Sequence, residues 1–250
     1  MRIDGKIVVV TGAEGGIGRE IAVCCAEAGA QLVLSGLSAE GLSETKEAIA
    51  GLPDASEAVC FQVDITNRDA VNAMLDSVQK AFGRIDAVVA NAGIITPQTS
   101  VLDITERDWQ QNIAVNLTGT FNTVQAAARL LVAQGHGGTI IATGSSTAVR
   151  VMPGFLPYVT AKSGIHGMMR LLALELAPHH IRVNTLVPGT TATALAQSIS
   201  GHLEKAASSL PMGEVVEPKE LGRYVAFAIS DAVPHMTGAQ LIVDSGRSIA

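Results

Sequence analysis

Short runs of β-branched and other apolar residues alternate along this chain with longer stretches that have the period of an amphipathic helix. This alternation is typical of a parallel sheet that is covered by helices on both faces. It predicts an α/β fold in one doubly wound domain, with a seven-stranded sheet and right-handed crossovers. The predicted strands are Lys6–Val10, Gln31–Ser35, Ala58–Val63, Asp86–Ala90, Gly138–Thr143, Arg182–Val187 and Gln240–Val243. The predicted helices are Gly16–Ala28, Ala39–Ala50, Arg68–Phe82, Arg107–Ala133, Tyr158–Ala177 and Lys219–Ser230.

Length and composition fit one domain and disfavour several classes of protein. With 250 residues, of which 48% are hydrophobic and 16% charged, the chain can bury one large core, and we place a single domain over residues 1–250. A net charge of −6 disfavours nucleic acid as a partner. A membrane span is also not expected, because His166, Arg170 and Glu175 interrupt the most hydrophobic predicted helix.

The cysteines and the N-terminus indicate a reducing compartment. Cys24, Cys25 and Cys60 have neither metal-binding nor redox spacing. The first six residues lead straight into a predicted strand, so we expect no signal peptide. We therefore expect a cytoplasmic protein. The six histidines show no ligand spacing, and we expect no metal in the chemistry.

One segment departs from the alternation of strands and helices. Residues 190–218 are rich in Ala, Ser and Thr and carry no strand pattern. Long irregular segments in compact domains are usually functional loops. We expect this one to form a mobile lid or substrate loop within the domain.

The first predicted strand leads into a glycine-rich turn, Thr11-Gly-Ala-Glu-Gly-Gly-Ile-Gly18, and a helix follows the turn. Its glycines at positions 12, 16 and 18 allow a tight turn and a close approach of the backbone to a pyrophosphate. The N-terminus of the helix then offers N–H donors and a positive partial charge to that anion. An ordinary glycine-rich turn is the alternative, but the strand before it and the helix after it favour dinucleotide binding.

A second group of residues can transfer a proton. Tyr158 and Lys162 are four residues apart on a predicted helix and therefore share a face. A cation one helical turn away favours the phenolate and should lower the pKa of the Tyr158 phenol towards neutrality. A phenol in that range can both donate and accept a proton. Ser145 follows the fifth strand and adds a hydroxyl group.

Three further motifs, Asn91-Ala92-Gly93, Asn116 and Pro188-Gly189, complete an ordered set with the glycine-rich turn, Ser145 and Tyr158-x-x-x-Lys162. This set resembles the short-chain dehydrogenase/reductase family from residue 6 to about residue 244, which is nearly the whole chain. The resemblance implies a Rossmann-like fold. It also implies an oxidoreductase that transfers hydride between NAD(H) or NADP(H) and a carbonyl carbon.

The resemblance implies a role for each catalytic residue. Tyr158 would protonate the carbonyl oxygen in reduction, or take the proton of the alcohol in oxidation. Lys162 would lower the pKa of the phenol and hydrogen-bond the nicotinamide ribose. Ser145 would hold the substrate oxygen. Asn116 would anchor a water molecule that links Lys162 to solvent, and its alternative is an asparagine bonded back to its own helix.

A larger set of residues would contact the dinucleotide, as the resemblance implies. Asp64 would meet the adenine amino group, although a carboxylate there could equally cap a helix over Thr66–Asp69. Asn91–Gly93 would lie under the adenosine ribose and also support the sheet. The implied cofactor residues are Gly12, Glu14, Gly16, Ile17, Gly18, Gly36, Leu37, Asp64, Ile65, Asn91, Ala92, Gly93, Tyr158, Lys162, Pro188, Gly189, Thr191 and Thr193.

The residues that usually distinguish NAD from NADP in this family are absent. Gly36 stands where NAD-dependent members carry an aspartate, and Leu37 and Gly15 stand where NADP-dependent members carry basic residues. Two neutral serines in this region would offer a 2′-phosphate only hydrogen bonds. Glu14 would repel that phosphate but could accept a hydrogen bond from a free hydroxyl. We therefore expect a small preference for NAD(H).

The residues around the predicted catalytic group favour a neutral, moderately apolar ketone or secondary alcohol as substrate. Most of the expected pocket wall is apolar or small, and Arg150, the one charge nearby, is interpreted as a solvated loop residue. The expected wall consists of Ile94, Ile95, Ser146, Thr147, Val151–Leu156 and the loop after Gly189.

Three other functions compete with this interpretation. A 3-oxoacyl-carrier-protein reductase needs a basic face for its acidic partner, and few cations, such as Arg129 and Arg170, flank the predicted site. A dehydratase or epimerase could use the same scaffold. A non-catalytic dinucleotide sensor is disfavoured because the Tyr158/Lys162 pair is retained.

For assembly, the resemblance implies a homotetramer in which the two longest predicted helices pair across subunits.

Overall fold

A single sheet of seven parallel strands forms the centre of the molecule, in the order β3-β2-β1-β4-β5-β6-β7. The computed structural model describes residues 2–197 and 201–250. Every predicted strand is present, with ends that differ from the prediction by at most one residue. The strands are β1 (Ile7–Thr11), β2 (Gln31–Gly36), β3 (Val59–Gln62), β4 (Ala87–Ala90), β5 (Gly138–Thr143), β6 (Ile181–Pro188) and β7 (Gln240–Val243).

Helices follow the strands and cover both faces of the sheet. The prediction of a Rossmann-like α/β fold with a seven-stranded parallel sheet is confirmed. The α-helices of the described residues are α1 (Gly16–Glu27), α2 (Ala39–Ala50), α3 (Arg68–Phe82), α4 (Glu106–Asn112), α5 (Thr120–Gln134), α6 (Leu156–Leu176), α7 (Ala194–Gln197), α8 (His202–Ala207) and α9 (Pro218–Ile229).

The core is divided by the sheet into two layers. Along β1, Val8 and Val10 pack with α1, α2 and α9 on one face, whereas Val9 packs with α3, α5 and α6 on the other. Successive side chains of a strand point to opposite faces, and a sheet covered on both sides needs apolar residues at every position. The unbroken apolar run of β1, all of it buried, meets this requirement.

The long helix predicted over Arg107–Ala133 is interrupted in the structure. Its central turns, Ile113–Gly119, are π-helical and join α4 to α5. The prediction of one uniform helix is therefore wrong over this stretch. A π-helical segment carries an extra residue per turn and is often found at functional sites, and this one contains Asn116.

The described part of residues 190–218 contains little regular structure beyond α7 and α8. Thr191 pairs with Val216 in an isolated parallel bridge, which ties the two ends of the segment together. Residues 198–200 of this predicted lid lie outside the described residues. Within the ranges that the structure describes, no helix is both long enough and apolar enough to cross a bilayer.

Candidate active site

A cavity of about 720 Å³ opens at the carboxyl ends of the strands. It lies where β1 and β4 are neighbours and the chain order of the strands reverses. Ligands of open α/β sheets bind at this kind of switch point. Every residue of the implied catalytic and cofactor sets except Gly16 lines the cavity. Gly16 lies just beside it, because an added Cβ there would be 3.4 Å from Thr193 Cγ2.

The glycine-rich turn needs glycine at two places for steric reasons. Gly12 has φ +66°, and an added Cβ would lie 2.7 Å from the Cα of Ala92. At Gly18, an added Cβ would overlap the Gly12 carbonyl oxygen and lie 2.6 Å from Asn91 Nδ2. The helix α1 then begins without a side-chain cap. Its first N–H groups are therefore available to an anion in the cavity.

Asn91 ties three strands together next to this turn. Its Nδ2 donates to the carbonyl oxygens of Thr11 (3.2 Å) and Gly12 (3.3 Å), and its Oδ1 accepts from the Thr143 hydroxyl at 3.0 Å. Thr11 Oγ1 in turn accepts from the Asn91 and Ala92 N–H groups. The side chain of Asn91 is thus used in the scaffold, while the backbone of this loop borders the cavity.

Three of the four residues expected to carry the chemistry converge on one side of the cavity. Helix α6 presents Tyr158 and Lys162 on the same face, with Lys162 Nζ 5.7 Å from the centroid of the tyrosine ring. Lys162 is buried, and its Nζ donates to the Thr143 carbonyl oxygen at 2.8 Å. Ser145 follows β5, and its hydroxyl lies 2.8 Å from Thr147 Oγ1.

Burial, rather than the neighbouring cation, controls the pKa values of this pair. Burial raises the pKa of the Tyr158 phenol above its ordinary value, while its hydrogen bond with Ser145 acts in the opposite direction. Burial also lowers the pKa of Lys162 from 10.5 to about 8. The expectation that Lys162 lowers the pKa of Tyr158 towards neutrality is therefore wrong for the chain alone. Helical spacing gave the proximity of the two groups but not the cost of desolvating them.

Replacing Lys162 by methionine is expected to stabilise the cofactor-free protein by about 1–3 kcal/mol at pH 7. The folded chain holds the Lys162 proton less tightly than the unfolded chain. Below pH 8 the buried charge therefore destabilises the folded wild type by its full amount, the penalty that the variant lacks. That penalty falls as the pH rises from 8 towards 10.5. The difference in the free energy of unfolding between variant and wild type should therefore shrink over this range.

Urea unfolding at both ends of this pH range measures that difference. Lys46→Met is the matched control, because Lys46 lies at the surface, where it pairs with Glu57, and should give no stabilisation. A gain for Lys162→Met that stayed constant with pH would show that the buried charge is not its cause.

Asn116 holds the loop after β4 at the edge of the catalytic group. Its Oδ1 accepts from the Ile94 N–H and its Nδ2 donates to the Ile94 carbonyl oxygen, both at 2.9 Å. The Nδ2 also donates to Asn112 Oδ1 at 3.0 Å. The alternative of a bond back to the helix backbone does not describe this side chain. An added Cβ on Gly93 would lie 2.8 Å from Asn116 Oδ1 and 3.4 Å from Lys162 Nζ, so both polar groups meet above Gly93.

His166 was not expected to belong to the site, yet it supports Ser145. Its Nε2 accepts from the Ser145 N–H at 3.4 Å. Burial, and then the charges of Lys162 and Arg170, lower the pKa of His166 and favour the neutral ring that can accept this bond. The signal was present in the sequence, because His166 follows Lys162 by one further helical turn on the same face.

The far end of the cavity lies over β2. Asp64 Oδ1 accepts from the N–H and the hydroxyl of Thr66, both at 2.8 Å, and helix α3 is capped by Asn67 instead. The two serines expected to face a 2′-phosphate are not both available. Ser35 is fully buried, and the Ser38 oxygen accepts from the Gly41 N–H as the N-cap of α2.

The loop after β6 closes the cavity from the other side. An added Cβ on Gly189 would lie 2.6 Å from the Cα of Asp244, so the chain can turn there only with glycine. Thr191 Oγ1 then donates to the Gly189 carbonyl oxygen at 3.0 Å. Thr193 follows and reaches the glycine-rich turn. Further residues that line the cavity are Gly15, Val63, Ile94, Ile95, Gln111, Val115, Thr143 and Gly144.

The expected substrate wall carries a second cation. Ser146 is buried, and Arg247 Nη1 donates to its hydroxyl at 3.3 Å and to the Arg150 carbonyl oxygen at 3.0 Å. The expectation that Arg150 is the one charge nearby is therefore wrong. Arg247 reaches this place because the C-terminal turn folds back onto the loop after β5, a contact between residues far apart in sequence.

Known proteins resemble this chain over its full length. A family model described as enoyl-(acyl carrier protein) reductase matches residues 12–248. The short chain dehydrogenase/reductase astE of Aspergillus oryzae is 34% identical over 99% of this chain and 96% of its own length. The 3-oxoacyl-(acyl-carrier-protein) reductase FabG of Thermotoga maritima is 32% identical, with 100% of both chains covered.

A solved structure supports the same assignment. Carveol dehydrogenase from Mycobacterium avium in complex with NAD is 30% identical and has a TM-score of 0.93, with 100% of this chain and 99% of that chain covered. The family model, the relatives and this structure each cover nearly the whole chain. The chain therefore belongs to the short-chain dehydrogenase/reductase family and is an NAD(P)-dependent oxidoreductase that acts on CH–OH or C=O groups.

Proposed function

We propose that this oxidoreductase interconverts a neutral, moderately apolar ketone and the corresponding secondary alcohol, with Tyr158 as general acid and base. The observation that carries the proposal is the convergence of Tyr158, Lys162 and Ser145 in the cavity that begins at the glycine-rich turn. A proton donor, a cation and a hydrogen-bonding hydroxyl are the groups that carbonyl reduction requires from a protein.

The cavity fits a nicotinamide dinucleotide, and that group supplies or accepts the hydride when it is bound. The absence of side chains at Gly12 and Gly18 and the uncapped start of α1 fit a pyrophosphate. Asp64 and Ile65 would hold the adenine, and Thr191 and Thr193 would hold the carboxamide and pyrophosphate. We propose NAD(H) as the preferred form.

Each catalytic residue has a role set by its position. The Tyr158 hydroxyl donates its proton to the carbonyl oxygen in reduction and takes the alcohol proton in oxidation. Ser145 donates a hydrogen bond to that oxygen, most strongly as negative charge develops on it. Lys162 would hydrogen-bond the ribose of a bound dinucleotide and stabilise the phenolate that remains. Asn116 would anchor a water molecule that links Lys162 to solvent, so that a proton can return to the site.

A substrate panel tests this function directly. Purified enzyme would be incubated with NADH or NADPH and a series of ketones, and the loss of nicotinamide absorbance would be followed. We expect turnover of a neutral, moderately apolar ketone, because Ile94 and Ile95 line the cavity. Turnover limited to charged dicarboxylates or phosphosugars would contradict the proposed substrate class.

A 3-oxoacyl-carrier-protein reductase is the second candidate. It is favoured by Arg150 and Arg247, which meet at the loop after β5 and form no ion pair with a described residue. The likeness to FabG of Thermotoga maritima points the same way. A 3-oxoacyl thioester added to the panel separates the two candidates, because only the second predicts that it is the best substrate.

Assembly, compartment and the lid complete the proposal. We propose a homotetramer, since Leu171 and Leu174 on α6 are exposed and would be covered by pairing of α6 across subunits. Sedimentation that showed only monomer would contradict the proposed tetramer.

We also propose a single domain of residues 1–250, a cytoplasmic location, and closure of residues 190–218 over the bound substrate.

A further inference from the structure

The carboxylate of Glu14 occupies the place at the end of β2 where a side chain of residue 36 would stand. An added Cβ on Gly36 would overlap this carboxylate and lie 2.8 Å from its Oε1. Both residues line the cavity, together with Leu37. On the other side, an added Cβ on Gly41 would lie 2.5 Å from the Glu14 carbonyl oxygen. The two glycines therefore leave the room that allows Glu14 to lie over β2.

One of the two carboxylate oxygens has a partner and the other does not. The Leu37 N–H donates to Glu14 Oε1 at 3.1 Å. Oε2 is buried and accepts no hydrogen bond from the described part of the chain. Arg19 does not neutralise the carboxylate, because its guanidinium donates instead to the Glu14 carbonyl oxygen (2.9 Å) and to Glu44 Oε2 (2.6 Å). A buried acceptor of this kind is costly unless a ligand supplies a donor.

We propose that Glu14 selects the unphosphorylated adenosine ribose, in place of the aspartate that position 36 lacks. A ribose with free hydroxyls can donate to the Glu14 carboxylate, because Glu14 lines the cavity. A 2′-phosphate offers no comparable donor at neutral pH and brings close to two negative charges beside the carboxylate. The proposal rests on the proposed function, because it takes the cavity as a dinucleotide site.

Dissociation constants for NADH and NADPH, measured by calorimetry, test the proposal without any substrate. The wild type should bind NADH about tenfold or more tightly than NADPH. Glu14→Ala should lose most of this preference, and Glu14→Gln should gain affinity for NADPH because the repulsion is removed. Glu40→Ala is the matched control, since Glu40 is an exposed acid in the first turn of α2 and should leave both constants unchanged.

A relocation experiment makes the test sharper. Gly36→Asp alone should weaken the binding of both dinucleotides, because the new side chain overlaps Glu14. The double variant Glu14→Ala/Gly36→Asp should recover the NADH preference, because the aspartate then fills the vacated space. Equal changes for both dinucleotides in Glu14→Ala would overturn this proposal alone. An NADPH-preferring wild type would overturn it together with the proposed preference for NAD(H). Either result leaves the proposed reduction of a ketone standing. If the wild type binds neither dinucleotide, both proposals fail.

Discussion

Replacement of Tyr158 by phenylalanine is expected to lower kcat by about 10³-fold, because the variant keeps the ring but loses the group that transfers the proton. The ring still fills the space beside Lys162, so the nucleotide end of the cavity should be unchanged. The dissociation constant for NADH should therefore stay within about twofold of the wild-type value. Steady-state kinetics on the best ketone of the panel and calorimetry with NADH measure the two quantities.

The chain offers a matched control for this experiment. Tyr224 is the one other tyrosine, and it stacks on Phe227 in α9, outside the residues that line the cavity. Tyr224→Phe should leave kcat unchanged. If Tyr158→Phe retained a tenth or more of the wild-type kcat, the loss would be smaller than the roughly 10²-fold that general acid catalysis contributes at the least. Tyr158 would then not be the acid.

Replacement of Gly18 by alanine is expected to abolish measurable binding of either dinucleotide. The new Cβ would overlap the Gly12 carbonyl oxygen and press on Asn91 Nδ2, and neither group can move without disturbing the turn or the strands it joins. The backbone around a pyrophosphate site must approach its ligand closely, so a small displacement there is sufficient. Calorimetry with NADH and NADPH measures the loss, and we expect at least a 100-fold rise in both dissociation constants.

Gly51→Ala is the control for the effect of adding a methyl group. Gly51 ends helix α2 with φ −76°, and an added Cβ would make only ordinary contacts at 3.6 Å. This variant should bind both dinucleotides as the wild type does. Tight binding by Gly18→Ala would show that the turn does not form the pyrophosphate site.

The fold could be predicted closely because local and global preferences agree along the chain. In β1 the run Ile7–Val10 is apolar at every position, and only a strand covered on both faces satisfies such a run. Helix α3 carries its own signals, with Asn67 as N-cap and Gly83 in the left-handed conformation after its last turn. The order of the motifs placed the residues of the candidate site, since the carboxyl ends of parallel strands meet at one edge.

Other parts of the site depend on contacts that no local pattern reports. In the π-helical segment Ile113–Gly119 each turn closes over one residue more than in an α-helix, and its residue types favour neither form. Arg247 meets Ser146 across 101 positions of sequence. Glu14 reaches β2 only because Gly36 lacks a side chain. The last two are tertiary contacts between residues far apart in the sequence.

The direct test of the account is a titration of the Tyr158 phenol, followed by the near-ultraviolet absorbance of tyrosinate. In the Tyr224→Phe variant Tyr158 is the one remaining tyrosine. Without cofactor its pKa should lie above the ordinary value, because burial opposes ionisation. With NAD⁺ bound, the positive charge of the nicotinamide would add to that of Lys162 and should bring the pKa below the ordinary value. A pKa that stayed above the ordinary value in both states would contradict proton transfer by Tyr158.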